Sequence, residues 1–492
     1  MNTAMTYDLL IRGGTVIDGT KAPRFDADVG VKNGRIAAVG DLAGASAAHT
    51  IDAAGLIVAP GFIDSHTHDD QALIARPDMD FKVSQGVTTV IAGNCGISAA
   101  PLVRGMKLPM PLDLIDDPHF ERHETFASWV KALEAKPAAT NVAALVGHST
   151  LRAAAMADLD RVATPAEIAK MQALLVEALD AGAIGLSTGT FYPPAVKAST
   201  EEIIEIGRPL SARQGLYVTH MRDESSKVME ALDETFRIGR ELGIPVVVSH
   251  HKVQNKPNWG RSTETLPFIR EAMRKQKVCL DCYPYTAGST MIRTDRGMLD
   301  GRVLIASSEP HPECAGRELG EIARSWGVEE SEAARRMQPG TAIYFLMDEK
   351  DVQRILAFDD TMIGSDGIPV GEKPHPRLWG TFPRVLGHYS REVGLFPLET
   401  AVWKMTGLTA ANFGLAGQGT VAVGKQADLV LFDAGTVKDA ATYEEPTRPA
   451  EGIHTVIVNG GVAWEGGRST GVRRGRVLRR TPSSAAAAGA SA

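Results

Sequence analysis

The sequence predicts an α/β protein: a TIM-type (β/α)8 barrel carrying a small β-sandwich built from both ends of the chain. Three observations lead there. Eight apolar runs of strand length recur through the middle of the chain, most of them separated by helical patterns. Several of those runs end in a metal-capable side chain, which is where a barrel gathers its active site. Both termini pattern as β structure with Asn-Gly turns. At 492 residues the chain also exceeds one simple core.

Residues 1–59 open with Leu9-Leu10-Ile11 leading into Thr15-Val16-Ile17, and Val29-Gly30-Val31 meets Arg35-Ile36-Ala37 across Asn33-Gly34. The barrel spans residues 60–414. Its strands are expected at Leu56–Asp64, Thr88–Ala92, Asn141–Val146, Ala183–Leu186, Leu216–Thr219, Pro245–Ser249, Val278–Cys282 and Thr361–Gly364. Between them, Thr164-Pro165-Ala166-Glu167 is a capping box with proline at the first helical position, and Ile168, Met171, Leu175 and Leu179 follow at helical spacing. A second helix is expected from about Ser226 to Leu242. Residues 287–344 are too long for a βα loop and read as an insertion over the site. Residues 415–480 return to the β pattern: Asp428-Leu429-Val430-Leu431-Phe432, then Thr455-Val456-Ile457-Val458 turning at Asn459-Gly460 into Val462-Ala463-Trp464. Residues 481–492, rich in Ser and Ala, read as a disordered tail.

Composition narrows the function. An apolar fraction of 44% is ordinary for a globular protein, and a formal charge of −7 with intermixed signs argues against nucleic acid as a partner. No apolar run approaches the ~20 residues of a membrane helix, so no membrane partner is expected. The first residues lack a signal-peptide pattern, which makes a cytoplasmic location the expectation. Four cysteines are too few for a disulfide framework, leaving Cys95 free to act as a thiolate. Nothing in the sequence sets the oligomeric state.

The chemistry centres on Gly61-Phe62-Ile63-Asp64-Ser65-His66-Thr67-His68. On an extended backbone His66 and His68 share a face, and paired imidazoles suit zinc. Cys95, His220, His250 and Asp366 end four further barrel runs. A thiolate and two imidazoles with an open fourth position make a catalytic zinc site. Asp366 is the strand-end carboxylate of the set and the candidate general base and acid. His251 has the opposite parity to His250 and reads as structural; His148 has no role in the set. Cys279 and Cys282, although formally CxxC, face opposite ways on a strand and read as core.

These residues, with Gly93-Asn94-Cys95-Gly96, His220-Met221-Arg222, Ser249-His250-His251-Lys252, Tyr283-Pro284-Tyr285, Gly364-Ser365-Asp366-Gly367 and Pro374-His375-Pro376-Arg377, resemble the amidohydrolase superfamily, and within it the N-acyl-D-amino-acid deacylases. The resemblance implies one tight Zn2+ site of Cys95, His220 and His250, and a second, weaker one of His66, His68, Cys95 and Asp366. No lysine ends Gly185-Leu186-Ser187-Thr188, which counts against relatives that bridge two metals through a carbamylated lysine. The implied activity is hydrolysis of a small-molecule N-acyl-D-amino acid. The implied contacts to its carboxylate are Lys252, Tyr283 and Arg377, with Tyr192 and Ser289 nearby. Met298, Tyr344 and Met347 in and beside the inferred insertion favour an apolar side chain. The alternatives are a deacylase for D-Glu or D-Asp, for which Arg293, Arg296 or Arg302 would have to turn inward, or another amide hydrolase of the superfamily.

Overall fold

A computed structural model describes residues 6–115 and 121–481; the expected disordered tail therefore lies, apart from Thr481, outside the described residues. Barrel strands one and two are Phe62–Asp64 and Val87–Ala92, and strand three is Asn141–Ala144 continuing in Val146–Gly147. Strands four to eight are Gly185–Gly189, Leu216–His220, Val246–Val248, Val278–Cys282 and Thr361–Ile363. Every laddered pair among them is parallel. The ring closes through Ser65 N–H to Ile363 O (3.2 Å) and Asp366 N–H to His66 O (2.9 Å). A β-carbon on Gly364 would lie 2.6 Å from that of His66, so glycine is what lets strands one and eight meet.

Side chains from seven strands, with Ile184 just before strand four, meet in one buried cluster: Ile63, Ile91, Ala143, Ile184, Val218, Val247, Cys279 and Met362. That is the filled interior expected of such a barrel. Cys279 belongs to it, whereas Cys282 packs outward among the helices, so the two thiols share no site. Helix Pro165–Ala181 begins at the capping box Thr164–Glu167 and ends at left-handed Gly182.

Both chain ends join one nine-stranded sheet. Its Asn33-Gly34 and Asn459-Gly460 turns have positive φ at both residues, the two-residue hairpin geometry. Alternation decides its faces. Leu429, Leu431 and Ile457 pack with Leu9, Ile11, Val29 and Val31 in a core of their own, while Val430, Phe432, Val456 and Val458 face the barrel's core.

Two boundaries differ from the sequence reading. The run Leu56–Asp64 is two strands: Ile57–Pro60 pairs in the terminal sheet and Phe62–Asp64 in the barrel. The chain crosses between them at Gly61, where a β-carbon would meet Thr88 Oγ1 at 2.3 Å. Residues 475–481 leave the terminal sheet and run beneath the barrel. Gly475 N–H bonds to Ala138 O, Leu478 N–H to Val142 O and Thr481 N–H to Gly414 O. Within residues 287–344, Gly288–Met291, Val303–Ser308 and Gly340–Tyr344 form a separate antiparallel sheet. Among the described residues, no helix is long and apolar enough to cross a membrane.

Beneath the mouth, Lys82 is fully buried. Its Nζ lies 2.7 Å from Asp64 Oδ2, 3.3 Å from Asp69 Oδ2 and 2.9 Å from Ser365 Oγ, tying strand one to the end of strand eight. Burial alone would lower the lysine's pKa, but the two carboxylates outweigh it and hold the ammonium. Lys82→Met leaves two buried carboxylates without their cation, so a loss of about 3–5 kcal/mol is expected by chemical denaturation. A change under about 1 kcal/mol would show that the network does not hold the two strands together.

Candidate metal centre

The six candidate ligands reach the mouth from five strands, and the backbone is bent to bring them there. Cys95 (φ 54°), His250 (φ 34°) and Asp366 (φ 49°) all adopt the left-handed region that side-chain-bearing residues avoid. Each sits just past a barrel strand, so each turn directs its side chain inward at the rim.

Cys95 Sγ is the hub. It lies 3.2 Å from His66 Nε2, 3.3 Å from His250 Nε2 and 3.6 Å from His220 Nδ1. Asp366 Oδ1 lies 3.2 Å from His68 Nε2 and 3.5 Å from His66 Nε2. Tetrahedral zinc bonds of ~2.3 Å to sulfur and ~2.0–2.1 Å to nitrogen would set ligand atoms roughly 3.3–3.6 Å apart. The donors and their spacing thus fit a zinc ion. Burial would raise the Cys95 thiol pKa, yet His66 and His250 hold it well below the usual range, so the thiolate is the resident form. Burial likewise opposes ionisation of Asp366, but Arg377 and the imidazoles hold its carboxyl low.

Two carboxylates that the sequence reading passed over complete the centre. Asp281 Oδ1 lies 3.6 Å from His66 Nδ1 and accepts the His250 backbone N–H at 2.7 Å. Glu224 Oε1 lies 3.0 Å from His250 Nδ1, and its Oε2 lies 3.7 Å from His220 Nε2. Each histidine facing Cys95 therefore turns its other nitrogen toward a carboxylate, the arrangement that orients imidazole ligands in metal sites. Asp281 shares inward parity with Cys279, a signal present in the sequence. Glu224 sits in a loop four residues past His220 and gave no periodic signal.

The cleft above the centre is lined by Tyr192, Lys252, Tyr283, Ser289, Met298, Tyr344, Met347 and Asp366, and also by Phe191, Glu224, Gln254, Thr290 and Leu346. Lys252 Nζ lies 2.9 Å from both Glu224 oxygens. Arg377 is fully buried beside the cleft: Nη1 lies 3.0 Å from Asp366 Oδ2, Nη2 donates to Ser289 O, and the guanidinium covers the Tyr283 ring. Arg377 Nε and Nη1 and Tyr283 Oη make no hydrogen bond among the described residues. Tyr344 Oη is engaged within the insertion by Met291 O and Arg293 N. His251 bonds to Thr265 Oγ1, and burial lowers its pKa to about 4. His148 ends strand three facing Glu202 and Arg152, away from Cys95.

Residues 49–277 and 330–463 match the amidohydrolase family. The chain is 61% identical to a D-aminoacylase of Alcaligenes xylosoxydans xylosoxydans, over 96% of this chain and 98% of that one. A solved D-aminoacylase structure, described by its binuclear metal centre with one-metal activation and second-metal attenuation, superposes with a TM-score of 0.95 at 61% identity, covering 96% of this chain and 100% of that one. An N-acyl-D-glutamate deacylase from Bordetella bronchiseptica, complexed with zinc and a phosphonate mimic of the tetrahedral intermediate, superposes at 0.93 with 46% identity, over 96% and 100%.

Cys95→Ala removes the sulfur on which three imidazoles converge. Purified variant protein should hold far less than the about one tightly bound zinc per chain expected of the parent, and should be inactive. Metal analysis after dialysis checks this; a variant that keeps its zinc refutes the thiolate as a ligand.

Proposed function

The chain belongs to the amidohydrolase family, and from that premise we propose that it is a zinc-dependent deacylase, hydrolysing N-acyl-D-amino acids to a carboxylate and a free D-amino acid. The observation that carries this reading is the buried Cys95 thiolate facing three imidazoles beneath a cleft whose wall holds unmet hydrogen-bond donors. Cys95, His220 and His250 would hold the tight ion; His66, His68 and Asp366, sharing Cys95, would hold a second, weaker one. Zinc with an open position supplies activated water near neutral pH and polarises a carbonyl.

The protein's own groups do the rest. Asp366 is ionised at the mouth and can take a proton on a carboxylate oxygen, then return it to the departing amine. Its Oδ2 is held by Arg377, while Oδ1 faces His66 and His68. The substrate's own carboxylate would find donors in Tyr283 Oη and Arg377 Nε, both buried and without hydrogen bonds among the described residues; Lys252 adds charge, with Tyr192 and Ser289 on the same cleft wall.

For the side chain, Met298, Tyr344, Leu346 and Met347 offer apolar surface. The arginines a D-Glu or D-Asp side chain would require face elsewhere. Arg293 pairs with Asp295 over the Phe191 ring, Arg302 pairs with Glu318, and Arg296 is exposed. A second carboxylate would be buried without a free cation. This favours apolar D-amino acids over the acidic substrate named for the glutamate deacylase.

A panel of N-acetyl-D- and L-amino acids tests the reading. Higher kcat/KM on N-acetyl-D-Met than on N-acetyl-D-Glu is expected, with little turnover of L-enantiomers. Comparable L rates would overturn the deacylase assignment, and a D-Glu preference the side-chain one. Asp366→Asn should keep the tight zinc and lose about 10²–10⁴-fold in kcat. Near-normal turnover would move the proton-transfer role to another group.

A further inference from the structure

We propose that Arg222 is a positioning residue: its guanidinium ties residues 190–199 to the end of strand five, so that Phe191 and Tyr192 stand as a fixed wall of the cleft. The proposal deepens the deacylase reading, since it rests on that cleft receiving the substrate.

Arg222 closes the run His220-Met221-Arg222, whose first residue is a candidate ligand and whose last has no part in the metal centre. Residues 190–199 join strand four to helix Thr200–Gly207. Their own backbone bonds are few: Tyr192 N–H reaches Gly189 O at 3.0 Å, Ala195 and Val196 N–H share Tyr192 O, and Ala198 N–H reaches Ala195 O. Pro193 and Pro194 have no N–H to give. The carbonyls of Pro194, Val196 and Ala198 accept no backbone N–H among the described residues. A segment so sparsely bonded to itself needs outside partners to keep one conformation.

Two arginines supply them. Arg222 spans two carbonyls, with Nη1 donating to Val196 O at 3.1 Å and Nη2 to Ala198 O at 3.0 Å. Its orientation is set by Glu234 of helix Val228–Leu242, whose oxygens accept from Nε at 2.9 Å and from Nη2 at 2.8 Å. Fully buried Arg152 donates from Nε to Pro194 O at 2.7 Å and pairs with Glu202. With all three of its nitrogens engaged, Arg222 is a brace and not a cation waiting for a substrate carboxylate.

The braced segment reaches the site. Phe191 stacks on the His220 ring with 5.2 Å between centroids, and Tyr192 meets the same ring edge-on at 4.9 Å. Both line the cleft. Tyr192 Oη accepts from Thr290 Oγ1 at 3.2 Å and donates to no group among the described residues, so its proton is available to a bound molecule. From the insertion, the Arg293 guanidinium covers the Phe191 ring at 4.5 Å. The insertion therefore holds the wall by its side chains, while Arg222 and Arg152 hold it by its backbone.

Arg222→Lys keeps a cation beside Glu234 but cannot reproduce a fork across two carbonyls, which separates the brace from a merely structural ion pair. Kinetics on N-acetyl-D-Met, zinc content and hydrogen exchange of residues 190–199 are measured on the parent, Arg222→Lys, Tyr192→Phe and the double variant. Arg222→Lys should raise KM about tenfold, the worth of one charge-assisted hydrogen bond, with kcat within about threefold and zinc retained. Exchange of the segment's amides should quicken about tenfold. In the Tyr192→Phe background the same substitution should raise KM by less than about threefold, because the hydroxyl whose placement it disturbs is already gone. Where Arg222→Lys does not fold, Glu234→Gln, which loosens the brace on the guanidinium, makes the same comparison. A KM rise under about threefold, a kcat loss larger than the KM rise, loss of zinc, or an undiminished effect in the Tyr192→Phe background overturns the proposal. The deacylase reading fails separately. An inactive parent sinks that reading alone, and the exchange comparison still decides the brace, which unchanged exchange in Arg222→Lys overturns. An active parent whose KM and exchange ignore Arg222 sinks this proposal alone.

Discussion

The Cys95 sulfur, buried and within 3.6 Å of a nitrogen from each of three histidines, sets the terms for everything at the barrel mouth. A thiolate in that position is unstable without positive charge, because burial disfavours its ionised form. The surrounding imidazoles meet the need in part, and a bound cation would meet it fully. With Asp366 ionised within 3.5 Å of His66, the mouth concentrates negative charge where low polarity makes such charge most costly. That is a poor arrangement for stability and a good one for holding a divalent ion.

The backbone shows the same priority. Three of the candidate ligands occupy left-handed φ values, each costing on the order of 1–3 kcal/mol. Such costs persist only when neighbouring contacts determine the conformation more strongly than local preference does. Here those contacts are visible: Asp281 holds the His250 backbone, Asp70 accepts N–H bonds from Gly93 and Ala99 on either side of Cys95, and the Asp366 N–H closes the barrel onto His66. Asp281 does both, facing the His66 ring and holding the strained His250 turn, which links the precision of the centre to the stability of the rim.

Much of this was legible in the sequence, for a physical reason. Barrel strands are buried on both faces, so they read as short apolar runs, and their ends are marked by the first polar residue that can face the mouth: His220 after Val218-Thr219, Asp366 after Gly364-Ser365. Runs and endpoints are local features, and all eight strands follow from them. What escaped was not local. Residues 475–480 group with the β-rich C-terminal segment because nothing local in them marks the departure from the sheet, which tertiary contacts with Ala138, Val142 and Gly414 decide. Leu56–Asp64 looks continuous because apolar residues flank the crossing on both sides, although Pro60-Gly61 marks it. Glu224 lies in a loop, where no period identifies the side chain that turns inward; its partners are set by tertiary contact with His250 and Lys252.

The charges around the cleft also constrain how an anionic substrate can be received. The buried cations near the site already have resident partners: Lys82 with Asp64 and Asp69, Lys252 with Glu224, Arg377 with Asp366. A lysine ammonium has three protons, and two of those on Lys252 are drawn to Glu224 oxygens at 2.9 Å, so its capacity for a further carboxylate is small. The Arg377 guanidinium has five; Nη1 faces Asp366 Oδ2 and Nη2 is anchored on Ser289 O, which leaves Nε without a hydrogen bond among the described residues. A planar fork can face two carboxylates at once where a point charge must choose. On the proposed reading, gripping the substrate carboxylate would fall to Arg377 and the Tyr283 hydroxyl. Lys252 would then act through its field, held in place by the carboxylate that also faces His250.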